Sequence, residues 1–354
     1  MKKNKKIFIH DYFENLGGGE RLILKLVSKN DILVTGFINR RLKSFLDIKN
    51  IIKIQKYRDG KILNKFLIPF FFIFYNFKEK YKNCLVSGNY SIFINLRNFK
   101  NKIFYCHSLP KLFFSFNKFY YNKNFIVKIL IFFIGIFFKF LYIKNLSKFN
   151  TIIVNSKFTK KEIQRVTKKK IKIVYPPIKN FFLKKISKKK FFLSNSRHEL
   201  EKNINIIIEV FNNCEDKELI IISEGSQTKT LKKLVKRKNI KFLGIVNEKK
   251  YKILLNQCVA TINISSNEDF GMSAIEGMSA GKPAIVLNEG GYMETCKNDK
   301  NSFILNKKNI NKNLLNLIKK FDYKKAYQMK HHCIATAKRF SEKKFSKKIN
   351  SLFI

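Results

Sequence analysis

From Lys190 onward the chain alternates short apolar runs with stretches in which apolar residues recur every three or four positions. The runs predict strands at Lys190–Asn195, Glu218–Ser223, Ile240–Leu243, Val259–Ile264, Pro283–Leu287 and Ser302–Leu305. Between them the helical spacing predicts Ile204–Asn212, Thr228–Lys236, Lys249–Gln257 and Met272–Ala280. Strand and helix in alternation imply a parallel sheet covered on both faces. The first half repeats the logic less cleanly. Strands are expected at Ile7–His10, Asn83–Val86, Lys102–Tyr105 and Thr151–Val154, with a glycine loop and the helix Arg21–Ser28 after the first.

Two consecutive prolines in Val174-Tyr175-Pro176-Pro177-Ile178, followed by a lysine-rich polar stretch, stop regular structure and mark a boundary. The expected fold class is α/β, with two doubly wound parallel-sheet domains. The first is expected over 1–180 and the second over 181–335, with helices continuing to the end, including Asp322–Phe340 and Glu342–Phe353.

Two apolar segments raise the question of a membrane, Phe66–Phe77 and Phe125–Ile143. The second approaches the roughly 20 residues of a spanning helix, but Lys128 and Lys139 leave only Ile129–Phe138 uncharged. A buried or interfacial helix fits better than a span. The basic start Met1–Lys6 precedes an apolar run of only Ile7–Ile9, too short for an export signal.

Composition changes this picture little. The 73 Lys and Arg against 24 Asp and Glu give a formal charge of +49, which suggests polyanionic partners. The lysines are scattered, however, and 37 Phe with 5 Pro and no Trp is the pattern that an AT-rich coding sequence imposes. A nucleic-acid binder remains a rival on charge alone. The six cysteines show no paired spacing, so neither zinc nor disulfides are suggested and reduced, cytosolic thiols are expected. His331-His332-Cys333 are adjacent on an expected helix and converge poorly on one ion.

The chemistry concentrates in Ser265–Thr295, where a strand leads through a polar loop into a helix expected to start near Phe270. Free N–H groups at a helix start favour an anion. Glu268 precedes that helix and Glu276 lies within it; taken singly, each is also an ordinary helix-start or surface acid. Together with Phe270, Gly271, Gly281, Pro283, Gly290, Gly291 and Glu294 they resemble the signature of glycosyltransferase family 4. Gly277 and Ser279 depart from it, standing where the family usually carries alanines.

The resemblance implies the GT-B fold, two Rossmann-like domains facing a central cleft, with a last helix, 336–354, packing back on the first domain. It implies a retaining hexosyltransferase that moves a sugar from a nucleotide-sugar donor to a hydroxyl, with no metal or other cofactor. Arg197 and Lys202 resemble the family's basic pair that neutralises the leaving diphosphate. Glu268 would hold donor-sugar hydroxyls and Glu276 the ribose. The helix start at Phe270, Gly271 and Met272, with Gly18 and Gly19 of the Gly17-Gly18-Gly19-Glu20 stretch, would face the donor phosphates. His107, in Tyr105-Cys106-His107, resembles the histidine that meets the donor sugar. These residues, Asn155-Ser156-Lys157-Phe158 and Tyr175-Pro176-Pro177 look most like the mannosyltransferase branch that builds bacterial polysaccharides, O-antigen and lipopolysaccharide among them. GDP-mannose is the first expectation, with a UDP-hexose or UDP-N-acetylhexosamine as the alternative. The expected acceptor is a lipid-linked or polysaccharide hydroxyl, and the expected setting is cytoplasmic and peripheral on an anionic membrane surface, without specific nucleic acid.

Overall fold

A computed structural model describes residues 5–14, 17–40, 42, 48–56, 63–114, 125–184 and 190–353. The described strands form two sheets, parallel throughout. The first contains β1 (Lys6–His10), β2 (Ile32–Thr35), β3 (Ile51–Lys53), β4 (Tyr81–Ser87), β5 (Phe99–Cys106), β6 (Thr151–Val154) and β7 (Ile171–Ile173), in the order β3-β2-β1-β4-β5-β6-β7. The second contains β8 (Phe191–Ser194), β9 (Glu218–Ile222), β10 (Ile240–Gly244), β11 (Ala260–Asn263), β12 (Ala284–Leu287) and β13 (Ser302–Leu305), in the order β10-β9-β8-β11-β12-β13. Central strands such as β8, β11 and β12 are buried at every residue. Helices cover both faces of such a sheet, so its strands are continuous apolar runs rather than alternating ones.

Each sheet reverses its winding once, between β1 and β4 in the first and between β8 and β11 in the second. Outside the carboxyl ends of the strands at such a reversal, loops diverge and leave a crevice for a ligand. The residues delivered there are His10, Asp11, Ser87 and Gly88 in the first sheet, and Asn195, Ser196, Arg197 and Ile264 in the second.

The chain divides into one unit of Met1–Tyr175 plus Ser346–Ile354 and another of Pro176–Phe345. The change at Tyr175 falls beside the paired prolines, short of the expected 180. The return at Ser346 lies inside the helix Glu342–Asn350, whereas the expected 335/336 division cuts the helix Lys330–Lys338. That helix buries Cys333 and Ala337 and packs on the turn at Gly281, where an added Cβ would come within 2.9 Å of Lys330 Cγ. It therefore belongs wholly to the second unit. The chain end belongs to the first: Phe353 lies edge-on to Phe8 with centroids 5.8 Å apart, and Asn101 donates to the Leu352 carbonyl at 2.8 Å.

The first unit's core is aromatic, with Phe37, Phe72, Phe77, Phe93, Phe104, Phe138, Tyr142 and Phe149 in one buried cluster. Two helices supply part of it. Leu63–Phe74, with Pro69 inside, buries Ile68 and Phe72; Phe125–Leu146 buries Phe138, Tyr142 and Leu146. The Phe125–Leu146 helix is thus packed on one side, as a core helix would be, and leaves Phe132, Phe133, Ile136, Phe137 and Phe140 exposed on another. Among the described residues no helix is long and apolar enough to cross a membrane.

Candidate functional site

In the second unit, β8 ends at Ser194 and the chain runs through Asn195, Ser196 and the exposed Arg197 into a short 3-10 turn, Leu200–Lys202. Asn203 closes that turn in the left-handed conformation, with φ 53°, which asparagine tolerates better than most side chains. Its amide donates to the Ile264 carbonyl at 2.8 Å and to Ser266 Oγ at 3.1 Å. Ser266 N–H in turn donates to the Glu201 carbonyl at 2.8 Å. The turn after β8 is thereby fastened to the loop after β11, and the fastening carries Lys202 to Glu268.

Lys202 Nζ lies 2.9 Å from Glu268 Oε2, with side-chain exposures of 16% and 19%. Burial alone would raise the Glu268 carboxyl, but the adjacent ammonium outweighs it and holds the group below the usual carboxylate range. The glycine pair braces this loop from behind. Gly291 N–H donates to the Glu268 carbonyl at 2.7 Å, and a Cβ on Gly290, whose φ is +64°, would stand 2.5 Å from that same carbonyl oxygen. The spacing of Gly290-Gly291 from Glu268 is therefore a packing requirement.

The helix following the loop runs Met272–Ser279, starting where its apolar spacing predicts and two residues beyond Phe270, with Gly271 as N-cap at φ +85°. A Cβ there would strike the Tyr292 ring at 2.7 Å. Phe270 is buried with its ring 5.3 Å from Phe340, so its side chain serves the core and only its backbone faces the loop. Met272 is half-buried at the first helical position.

Glu276 lies one turn further on, separate from the Lys202–Glu268 pair. Its Oε2 accepts from the Tyr251 hydroxyl at 2.7 Å; Asn195 donates to Tyr251 Oη at 2.8 Å and to the Ser273 carbonyl at 3.0 Å, while Asn263 donates to Asn195 Oδ1 at 2.8 Å. This chain ties the ends of β8 and β11 to the helix carrying Glu276. Asn195, Tyr251 and Asn263 lack any local motif, and only the topology reveals them. Arg197 is not bonded to either glutamate.

The departures from the resembled signature are both in use. A Cβ on Gly277 would come within 2.7 Å of Thr261 Cγ2 and Oγ1, so the helix lies close against β11. Ser279 Oγ donates to the Glu276 carbonyl at 2.8 Å and accepts from Phe181 N–H at 3.2 Å.

The first unit has its own cluster at the β1/β4 reversal. Gly18 and Gly19 do not form a loop as expected: the helix already begins at Gly18, with Gly17 as N-cap, and ends at Leu26. A Cβ on Gly19 would lie 3.4 Å from His107 Nε2. His107, half-buried just after β5, has Nε2 2.7 Å from Ser87 Oγ, and its carbonyl accepts from Asn155 at 2.7 Å. Desolvation, helped by His10, pushes its imidazole down to about 3. His10 Nδ1 lies 2.9 Å from the Ser87 carbonyl, and since a carbonyl only accepts, that nitrogen carries the proton. Asp11 accepts from the N–H groups of Asn89, Tyr90 and Ser91, fixing the loop after β4. His10 and Ser87 were invisible as site residues in the sequence, where they end ordinary apolar runs.

His331 and His332 are exposed while Cys333 is buried, and among the described residues no three His, Cys, Asp or Glu side chains group as a metal set. Ser156 Oγ caps the helix Lys157–Gln164 by accepting from Thr159 N–H at 2.9 Å, a structural reason for the Asn155-Ser156 pair.

Residues 177–340 match the family of glycosyl transferases group 1. The alpha-1,3/1,6-mannosyltransferase ALG2 of Dictyostelium discoideum is 31% identical over 157 residues, which cover 37% of this chain and 37% of that protein. The O-antigen chain mannosyltransferase RfbU of Salmonella typhimurium is 27% identical over 231 residues, covering 59% of this chain and 64% of RfbU. The chain thus spans under two thirds of the length of either relative. Among solved structures, Anabaena HepE in complex with UDP and glucose superposes with a TM-score of 0.73 at 16% identity, covering 98% of this chain and 99% of HepE. WaaG, a glycosyltransferase of lipopolysaccharide biosynthesis, gives 0.70 at 10% identity over 98% and 99%. These structures establish the fold, that of GT-B glycosyltransferases.

Proposed function

We propose, from the match of residues 177–340 to the glycosyl transferases group 1 family, that the chain is a retaining hexosyltransferase acting on a lipid-linked or polysaccharide hydroxyl. The observation that carries this reading is the constellation at the β8/β11 reversal, where the Lys202–Glu268 pair joins the segments that follow the two strands and Asn195, at the end of β8, donates to the tyrosine of the Tyr251–Glu276 hydrogen bond.

In the proposed reaction the acceptor oxygen bonds to the anomeric carbon on the face that the diphosphate leaves. The anomeric C–O bond to the diphosphate breaks, and the departing diphosphate takes the acceptor proton. Arg197 and Lys202, with the helix start at Gly271 and Met272, stabilise the leaving charge. Glu276 binds the ribose hydroxyls and Glu268 the donor-sugar hydroxyls. His107, kept neutral, contacts the sugar, so His107→Ala should lower turnover more than donor affinity.

GDP-mannose is the favoured donor, supported by the likeness to two mannosyltransferases. A UDP-hexose is the second reading, favoured by the likeness to HepE with UDP and glucose. No metal takes part in this scheme, and activity should survive chelation with EDTA. The deciding experiment is calorimetric binding of GDP, UDP and ADP, with tripolyphosphate as a control for general anion attraction. One nucleotide at least about tenfold tighter than the others, a gap of about 1.4 kcal/mol, is the expected result. Equal binding of all polyanions, abolished together by salt, would remove the donor assignment.

A further inference from the structure

The first unit exposes an aromatic face that its core does not use. On the helix Phe125–Leu146 the exposed large apolar residues are Ile129, Phe132, Phe133, Ile136, Phe137, Phe140 and Ile143, a spacing of three and four that puts them along one side, with the exposed Lys139 and Lys144 beside them. Phe133 is 64% and Phe140 63% exposed. The helix Leu63–Phe74 lies alongside, with the rings of Phe70 and Phe138 5.5 Å apart, and adds Phe70, Phe71 and Phe74, the last 76% exposed. A soluble surface rarely leaves so many large apolar side chains together unless something binds them.

The charge around this face is one-sided. From Lys80 to Lys161 the chain carries fifteen Lys or Arg and no Asp or Glu. At the whole chain's density of 24 acids in 354 residues, a stretch of 82 would hold five or six. An AT-rich coding bias explains abundant lysine, but it acts on the whole chain and does not explain this local loss of acids. Beyond the carboxyl end of the helix, partial burial and then the nearby charges of Lys144, Arg97 and Lys102 lower the pKa of Lys148. Among the described residues none of these four is ion-paired. The end of the second helix is adjacent, since Asn95 donates to Asn76 Oδ1 at 2.7 Å and to the same strand of contacts belongs Arg97, whose N–H donates to Asn95 Oδ1. The aromatic face and the basic cluster are thus neighbours.

We propose that this face docks on the surface of an anionic lipid bilayer. The helix Phe125–Leu146 lies along the membrane plane with its phenylalanines at the acyl boundary, and Arg97, Lys102, Lys144 and Lys148 meet anionic headgroups. Aromatic insertion supplies contact that salt does not screen, and the cluster supplies the preference for negative charge. A polyanion such as nucleic acid would satisfy the lysines and leave the phenylalanines in water, so the lipid surface is the occupant that fits both halves. The inference stands on the first unit alone and is independent of donor chemistry.

The test is flotation of the full chain with vesicles of phosphatidylcholine alone and with added phosphatidylglycerol, at low and high salt, without donor or acceptor. Binding to the anionic vesicles is expected, weakened but not abolished by salt. The exposed-site variant Phe133→Ser/Phe137→Ser/Phe140→Ser should lose at least about tenfold in partitioning, and Lys144→Glu/Lys148→Glu should lose the preference for anionic lipid. Because the chain contains no Trp, Phe137→Trp provides a single indole whose quenching by brominated lipid reads insertion even if the triple variant fails to fold. Full-length protein that stays at the bottom at low salt overturns the proposal, as does an indole that brominated lipid leaves unquenched. A triple variant that folds and floats unchanged would do the same. Dimerisation that depends on these phenylalanines without vesicle binding would assign the face to a second copy, and RNA binding without vesicle binding would assign the cluster to nucleic acid; either result overturns it.

Discussion

Lys202 and Glu268, sixty-six positions apart, meet at 2.9 Å with most of both side chains shielded from water. The sequence assigns them separate ligands; the fold makes each the other's partner before any ligand arrives. Lys202→Ala should therefore leave Glu268 shielded and unpaired, costing about 1–3 kcal/mol at neutral pH. The lowered Glu268 pKa means that the pair's contribution is complete above the ordinary carboxylate range and disappears as pH falls through the lowered value. Urea melts of the parent and the variant should converge toward acid pH. A gap that persists unchanged in acid would indicate that only the packing of the lysine stem had been lost.

Ser87 stands between two histidines, its hydroxyl on His107 Nε2 and its carbonyl on His10 Nδ1. With its pKa pushed to about 3, His107 stays neutral when folded but takes up a proton in the unfolded chain below about 6.5. Its share of stability is full above that value and declines as pH falls toward 3. NMR titration should show one of the five histidines with Cε1–H shifts flat from pH 8 to pH 5. An ordinary titration by all five would refute the neutral imidazole.

The hydroxyl should also orient that ring. Ser87→Ala is expected to reduce turnover by about ten- to a hundredfold while donor affinity stays within about twofold. Steady-state kinetics beside calorimetry separates the two, and an equal loss in both would mark Ser87 as a fold residue only.

The contact of Gly277 with Thr261 predicts non-additivity. Gly277→Ala gains about 1 kcal/mol of helix propensity but drives a methyl into Thr261, at a cost of about 1–3 kcal/mol. In a Thr261→Ala background the obstruction is gone, and the same change should become neutral or stabilising. Thermal melts of the four members of this cycle test it; additive changes would show that the helix simply shifts outward.

Glu276→Ala should weaken binding of the preferred nucleotide by at least tenfold, about 1.4 kcal/mol. Tyr251→Phe keeps the carboxylate but removes the hydroxyl that holds it, so a smaller loss is expected. If Tyr251→Phe costs as much as Glu276→Ala, the tyrosine contacts the ligand itself. Calorimetry on both variants distinguishes these outcomes.

The second unit was legible because its strands are short, mostly apolar and bounded by turns; Ser302–Leu305 and the helix Ile204–Asn212 match residue for residue. The first was less so. Strand β3 has only three residues, two of them exposed, and β7 interrupts its apolar pattern with Lys172, so neither carries a strong periodic signal. Gly18 and Gly19 resembled a loop because glycine disfavours helices, yet the helix takes them into its first turn, where Gly19 fits beside His107. In the site, Glu268, Glu276 and Lys202 stood out through their motif. Tyr251, Asn195 and Ser87 did not, since their partners lie 25, 68 and 20 positions away and only strand order brings them together.

All six cysteines are buried thiols outside any disulfide. Burial raises the thiols of Cys84, Cys258, Cys296 and Cys333 far from the thiolate range, to about 12 at Cys258 and Cys296. Maleimides and other thiolate-seeking reagents should therefore pass over the native chain at neutral pH. Any cysteine introduced on the surface becomes the one labelled site, which makes the unmodified protein a ready host for paired fluorophores or spin labels that report distances in solution.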